Sequence, residues 1–159
     1  MKETGLVKIP IAINSNEVNR ELLLAEKTFE DTFILCSIPA FTYGFGLGDE
    51  IGLINAAEGK VKLVKRAGNV TIRLFKVGSL NNKLVNDFVE KLESQGGVYE
   101  VALTAETENA RSLLLVSLPF TYGFRNIEKD MLIFEGDDYS WEYGNIYDDK
   151  GELLGWWKD

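Results

Sequence analysis

Histidine is absent from the 159 residues. Its absence excludes Ser-His and Cys-His couples, imidazole metal ligands and a general base that titrates naturally near neutrality. Catalysis would have to rest on carboxylates, lysine, tyrosine or a bound cofactor. The single cysteine, Cys36, excludes an internal disulfide and a multi-cysteine zinc site. It closes the apolar run Phe33-Ile34-Leu35-Cys36, where a buried small hydrophobe is expected rather than a reactive thiol. No apolar run approaches the roughly 18 residues of a membrane-spanning helix, so no membrane association is expected. Met1-Lys2-Glu3-Thr4-Gly5 leads straight into an alternating pattern without the apolar core of a signal peptide. The expectation is a cytoplasmic protein of bacterial type.

Positive charge is also scarce: 17 lysines and arginines stand against 25 acids, a net charge of −8. The imbalance is local. From Glu128 onward ten acids face only Lys129, Lys150 and Lys158, which accounts for −7 of the total. Such a field repels phosphate backbones and attracts basic partners, so nucleic acid is not an expected ligand.

What the chain does have is a near-repeat. Ser37-Ile38-Pro39-Ala40-Phe41-Thr42-Tyr43-Gly44-Phe45 is echoed by Ser117-Leu118-Pro119-Phe120-Thr121-Tyr122-Gly123-Phe124. An apolar run precedes each copy, and an acid (Asp49, then Asp130) follows before apolar residues resume.

Before the first copy, 6–13 reads as a strand near an edge because Pro10 cannot donate to a central ladder. Asn14-Ser15-Asn16 reads as a turn, and 20–27 with 32–35 as a hairpin turning at Glu30-Asp31. After it, 50–55 is expected to pair with 60–65 across Glu58-Gly59. A further hairpin is expected where Lys65-Arg66-Ala67-Gly68-Asn69 turns into 70–77, in which Val70, Ile72 and Leu74 alternate with Thr71 and Arg73. A helix is predicted to start at an N-cap on Ser79, with Leu80, Leu84, Phe88 and Leu92 as its core stripe and Gly96-Gly97 as its end. Strands follow at 98–104 and 112–117, then a short helix capped by Asn126, and a last strand over 139–146. The fold class expected is α+β. Residues 1–67 form a β-rich small barrel or bent sheet, and 68–159 a ferredoxin-like βαββαβ half with an acidic, aromatic C-terminus.

Ile38-Pro39, Phe41-x-Tyr43-Gly44, Gly48-Asp49 and Gly68-Asn69-x-Thr71-Ile72-Arg73 occur in an order that resembles a family of small bacterial proteins, the domain of unknown function 4265. The likeness runs from Glu21 to Val77. Asn69 stands where many relatives carry histidine, which speaks against a catalytic role for that position. The resemblance implies a bacterial origin and a shape, and it supplies no mechanism.

Tyr43 and Tyr122 either form an exposed aromatic platform or fold back over the core, and the second is expected. Asp49 reads as a turn cap rather than a base. Arg73 either holds an anion or pairs with an acid such as Asp49 or Glu50. Neither Glu135-Gly136-Asp137-Asp138 nor Asp148-Asp149-Lys150-Gly151-Glu152 matches a calcium loop. Gly44-x-Gly46-x-Gly48 is not a dinucleotide fingerprint, so neither metal nor cofactor is expected.

In the C-terminal third, Tyr139, Trp141, Tyr143, Tyr147, Trp156 and Trp157 interleave with acids. Aromatic anchors inside an acidic rim suit a basic protein partner. Adjacent Trp156 and Trp157 cannot both hide on one face of a helix or strand. The expected function is therefore non-enzymatic protein binding of the immunity or antitoxin kind, neutralising a basic toxin such as a nuclease. Asp137, Asp138, Tyr139, Trp141, Tyr143, Trp156 and Trp157 are its candidate contacts. The alternative is a small-molecule or peptide sensor, with a cleft between the halves lined by Phe41, Tyr43, Asp49, Arg73, Phe120 and Tyr122. A carboxylate-dependent hydrolase is a third possibility.

Overall fold

A computed structural model describes residues 5–13 and 18–158; the turn expected at Asn14-Ser15-Asn16 lies outside them. Five strands come first: β1 (Leu6–Ala12), β2 (Arg20–Lys27), β3 (Thr32–Leu35), β4 (Glu50–Asn55) and β5 (Lys60–Lys65). Each pairs antiparallel with its predecessor, giving the sheet order β1-β2-β3-β4-β5. Two of the three expected hairpins are found, whereas 60–65 and 70–77 do not pair, because they lie in different sheets. Asp31 takes a left-handed φ of 60° between β2 and β3, and Gly59 a φ of 68° before β5. Pro10 lies in the edge strand β1, where its missing N–H breaks no interior ladder.

This sheet is bent and open, not a closed barrel. Its edges β1 and β5 meet only at one end, where Ala12 N–H donates to Gly59 O at 2.9 Å. Ile9, Ile11, Leu23, Ala25, Leu35 and Ile51 fill the concave side.

The second sheet holds β6 (Asn69–Val77), β7 (Val98–Leu103), β8 (Arg111–Pro119) and β9 (Tyr139–Tyr143), in the order β7-β8-β6-β9 with every pair antiparallel. Helix α1 (Lys83–Ser94) joins β6 to β7, and α2 (Phe124–Met131) joins β8 to β9. The class is α+β. One face of the sheet, carrying Val70, Ile72, Leu74, Leu114, Val116 and Leu118, packs against both helices. Loop residues Ile38 and Ala40 cover Leu113 and Leu115 on the other. The first repeat copy is therefore a lid of irregular chain on a sheet face. A buried loop is tolerable only where its backbone polar groups find partners.

Several expected details differ. Asn82, not Ser79, caps α1: its side chain accepts from Val85 N–H at 2.8 Å. Ser79 instead accepts from Asn81 N–H, in the turn ahead of the helix. The buried stripe is Val85, Phe88 and Leu92, while Leu84 is 37% exposed; this i, i+3, i+7 set points inward once the start moves forward by three residues. Gly97 N–H reaches Leu92 O and Gly96 N–H reaches Glu93 O, so the glycines end α1 in a Schellman motif as expected. Asn126 lies inside α2, which begins after Gly123 at φ 96°. Strand β9 ends at Tyr143, three residues early, because the chain turns there to send Asn145 back to β6.

Candidate functional site

The lid of the first repeat copy is pinned by side chains from outside it, among them Glu100 of β7, which accepts from Ile38 N–H at 2.9 Å. Glu21, on β2, points its carboxylate at consecutive backbone donors. It accepts from Ala40 N–H (2.6 Å), Phe41 N–H (3.1 Å), Thr42 N–H (2.9 Å) and the Thr42 hydroxyl (2.9 Å). Arg73, on β6 and 1% exposed, donates to the carbonyls of Thr42 and of Pro39 and pairs with Glu142 Oε1 at 3.4 Å. Its guanidinium lies 4.6 Å from the centre of the Tyr43 ring. Tyr43 completes the circuit by donating its hydroxyl to the two Glu142 oxygens at 2.8 and 2.7 Å. Burial first, then the Glu142 carboxylate, pushes the Tyr43 phenol upward. Arg73 thus pairs with neither Asp49 nor Glu50, the partners anticipated for it, but with an acid on β9.

Asp49 behaves as the turn cap expected. Buried at 1% exposure, it accepts from Gly46 N–H and Ala67 N–H, both at 2.9 Å, with Arg66 at 3.7 Å. Gly46 has to be glycine: a Cβ there would meet Asn145 Nδ2 at 2.5 Å.

Burial raises the Asp49 carboxyl above 3.8, against the opposing pull of the two N–H groups and Arg66. The folded state then holds this proton to higher pH than the unfolded chain does. Ionisation of Asp49 therefore subtracts stability as pH rises from about 3.8 through the raised value, and the full penalty stands above it. Asp49→Asn, which does not titrate, removes this slope. In urea melts at a series of pH values, the stability of wild type minus that of the variant should fall across the window. A difference that is flat or rises would refute the assignment.

The second repeat copy uses the same chemistry on the helix side. Tyr122 donates to Asp130, which is also paired with Lys91 at 2.6 Å. Each repeat tyrosine thus joins a carboxylate already held by a base: Tyr43 with Glu142 and Arg73, Tyr122 with Asp130 and Lys91. Burial, followed by the Asp130 carboxylate, raises the Tyr122 phenol to about 12. Tyr122→Phe should delete one late-ionising phenol from the alkaline absorbance titration and lower stability by about 1 kcal/mol. Loss of the phenol from the early part of the curve instead would show that the Tyr122 hydroxyl is not raised.

The cleft residues named from sequence therefore divide into separate places. Tyr43 and Arg73 touch, and Asp49 is sealed in its own turn. Exposed Phe120 packs edge-on against Trp156 at 6.1 Å, and Tyr122 faces Asp130. Phe41 is 42% exposed on the lid. The two copies are linked through Arg66, which donates to Gly44 O at 2.9 Å and stacks 5.1 Å over Trp156.

The proposed partner-contact residues are divided as well. Asp137 and Asp138 are exposed, and Asp138 O accepts from Val77 N–H at one end of β6. Trp156 donates to Asn145 O, and Asn145 sits beside Thr71 near the other end; six strand steps between these ends span about 20 Å. Tyr143 is buried, and Trp156 and Trp157 pack together against Phe120 and Phe124. The adjacent tryptophans both reach the core because Trp156–Lys158 is a 3-10 turn, neither helix nor strand. Tyr139 leans on Phe134, and Trp141 lies edge-on to Tyr143 at 5.0 Å.

A groove of about 550 Å³ brings together residues that the sequence reading held apart. Tyr43 of the lid, Trp141 and Glu142 of β9, and Tyr147, Asp148 and Asp149 of the following turn line it. A smaller groove of about 320 Å³ adjoins it across Tyr43, Asp148 and Asp149 and runs to β1 and β5. Asp148 is set by its own turn, accepting from Lys150 N–H (2.9 Å) and Glu152 N–H (2.8 Å). Asp148 and Asp149 were legible as an acidic turn, but nothing in the spacing placed Tyr43 opposite them. Cys36, half-buried rather than buried as expected, does not line this groove, and burial, then Glu26, pushes its thiol upward. Among the described residues no cluster of three or more His, Cys, Asp or Glu could hold a metal ion, and no helix is long and apolar enough to cross a membrane.

The family model described as "Domain of unknown function (DUF4265)" matches residues 21–143. The chain belongs to this family. The family match takes in β2 through β9, well beyond the Glu21–Val77 stretch that carries the resembling motifs, and stops short of the Tyr147–Asp149 turn. One solved structure similar to this DUF4265 chain is described as "Novel crystal structure of a hypothetical protein from Neisseria gonorrhoeae". It has a TM-score of 0.62 at 18% identity, covering 91% of this chain and 96% of that one. At that identity the likeness is one of fold. Comparison with curated proteins found no match.

Proposed function

We propose that this DUF4265 chain is a non-enzymatic binding protein of the immunity or antitoxin kind, acting in the cytoplasm on a basic protein partner such as a nuclease toxin. The observation that carries this reading is the groove at Tyr43, Trp141 and Tyr147, where Glu142, Asp148 and Asp149 meet aromatic surface at the most acidic part of the chain. Aromatic rings supply contact area at low entropic cost, and the acids speed encounter with a basic surface. The contact surface is re-centred accordingly, from Asp137, Asp138, Trp156 and Trp157 to this groove.

The order β7-β8-β6-β9, with a helix after β6 and another after β8, supports reading the second sheet as a ferredoxin-like split βαβ unit. That arrangement serves many functions and favours none. A sensor of small molecules or peptides is the second reading, supported by a groove volume of about 550 Å³, which is within the usual range for ligand sites.

The test uses the chain as bait in an extract of its native organism, at low and high salt. One stoichiometric basic protein is expected, lost as salt rises and lost with the double variant Asp148→Asn/Asp149→Asn. No basic partner at either salt would overturn the immunity reading and shift the weight to the sensor.

A further inference from the structure

We infer that the open edge of β7 takes up an extended segment of a partner protein as an added strand, one that alternates basic with apolar residues. The site lies at the opposite edge of the sheet from the groove beside β9 and stands independently of the reading given to that groove.

β7 ends the sheet order, so one side of its backbone has no strand beside it. Among the described residues no group outside β8 hydrogen-bonds to the backbone of 98–103 either. Proteins commonly blunt such edges with lysine or proline. The five-stranded sheet does so, with Lys8 and Pro10 in β1 and Lys60, Lys62 and Lys65 in β5. β7 has neither residue type. Its one irregularity, a register shift between Val101 and Leu103, leaves 98–101 regular. Val98, Tyr99, Val101 and Leu103 are 44–51% exposed, a concentration of apolar surface that marks an interaction site.

The helix side of β7 supplies the pocket. Tyr99 and Val101 stand opposite Val116 and Leu114, on the sheet face that packs against α1. With Val85 and Val89 of that helix they line a groove of about 410 Å³. Alternate side chains of a strand point to one face. Every second residue of the guest therefore reaches this groove, while main-chain hydrogen bonds hold it to β7.

Charge selects the guest. Glu90 and Glu93 line the groove and no base does. The bases of α1 are taken: Lys83, drawn also by Glu90, pairs with Asp87 at 2.6 Å, and Lys91 pairs with Asp130 at 2.6 Å. Glu100, on the other face of β7, accepts from the Ile38 N–H, which brings no charge to cancel its own. With both bases offset by their own acids, Glu90, Glu93 and Glu100 leave three negative charges around the edge. Beyond its far end Glu106 and Glu108 outnumber Arg111. A second copy paired through its own β7 about a two-fold axis would set these acids against their equals. A strand with basic residues between its apolar ones meets the opposite charge.

The test is amide hydrogen exchange of the ¹⁵N-labelled full chain with a short capped peptide that alternates lysine and valine. Peptides alternating glutamate with valine and lysine with glycine are the controls. At saturation the lysine–valine peptide should slow exchange of the outward-facing amides within 98–101 by about tenfold or more, and the controls should not. The exposed variant Glu90→Gln/Glu93→Gln, checked for an intact amide spectrum, should bind the peptide about tenfold more weakly.

Equal protection by either control, no protection at 98–101, or unchanged affinity in the double variant would each overturn the inference. So would self-association of the chain alone, seen by sedimentation and lost in Tyr99→Thr/Val101→Thr, which would assign the edge to a second copy. The two readings fail separately. A basic partner captured through Asp148 and Asp149 that leaves the β7 amides unprotected keeps the earlier reading and overturns this one. Protection of β7 by the lysine–valine peptide, with no partner captured through the groove beside β9, does the opposite.

Discussion

Replacing Arg73 with methionine is expected to lower folding stability by about 2–4 kcal/mol, chiefly the cost of leaving two buried carbonyls without their donor. Methionine retains most of the stem volume, so the loss reports the guanidinium rather than a cavity. Without it, the Glu142 carboxylate keeps only the Tyr43 hydroxyl, and the carbonyls of Pro39 and Thr42 lose their donor under the lid. The ring of Tyr43 also loses the cation stacked on it. Arg73→Lys should recover only part of the loss, because an ammonium cannot stack flat while reaching two carbonyls and a carboxylate. Urea unfolding gives the number directly, and a loss below about 1 kcal/mol would remove the guanidinium from the account of stability. Adding Glu142→Gln to the methionine variant should cost much less than the sum of the single changes, since both act on one network.

Glu21→Ala is the second large effect, at about 2–3 kcal/mol. It strips one carboxylate from three successive backbone donors and a hydroxyl, and an orphaned buried donor costs about 1–3 kcal/mol. The total falls short of three full penalties because the Phe41 N–H lies in an exposed environment, where water can take over. The effect should be local as well as global. Amide exchange at Ala40, Phe41 and Thr42 should accelerate more than exchange in β6, while Glu21→Gln, which keeps one acceptor oxygen, falls between. Unchanged exchange at these three amides would show that the lid is held in place without the Glu21 carboxylate.

The hairpins were legible because their information is local. Glu30-Asp31 and Glu58-Gly59 sit between runs short enough that no other pairing competes. The strand and helix succession of the second half was legible for the same reason. Helix detail was less so: Ser79 and Asn82 are both good caps, and Leu84 and Val85 are both apolar. Packing of Val85, Phe88 and Leu92 into the core under the second sheet, not propensity, chose between them. The site was legible only in pieces. Tyr43, Trp141 and the acidic turn each stood out, yet the contact between Tyr43 and Glu142 joins positions 99 apart in the chain, and that between Arg73 and Glu142 positions 69 apart. Spacing carries no information at that range. The tight turn that folds both Trp156 and Trp157 inward has no apolar periodicity to announce it.

The separation between Arg73 and Glu142 also sets an order of events. Every strand of the five-stranded sheet pairs with its neighbour in sequence, so on a chain growing from its N-terminus that sheet can close early, with only short loops to order. Strand β6 must wait for β8 and then β9. Until β9 arrives, Arg73 has no acid beside it and the Tyr43 hydroxyl has no carboxylate to donate to. The guanidinium can therefore stay hydrated through most of folding and lose its water in the last step, when the strand that carries its counter-charge completes the sheet.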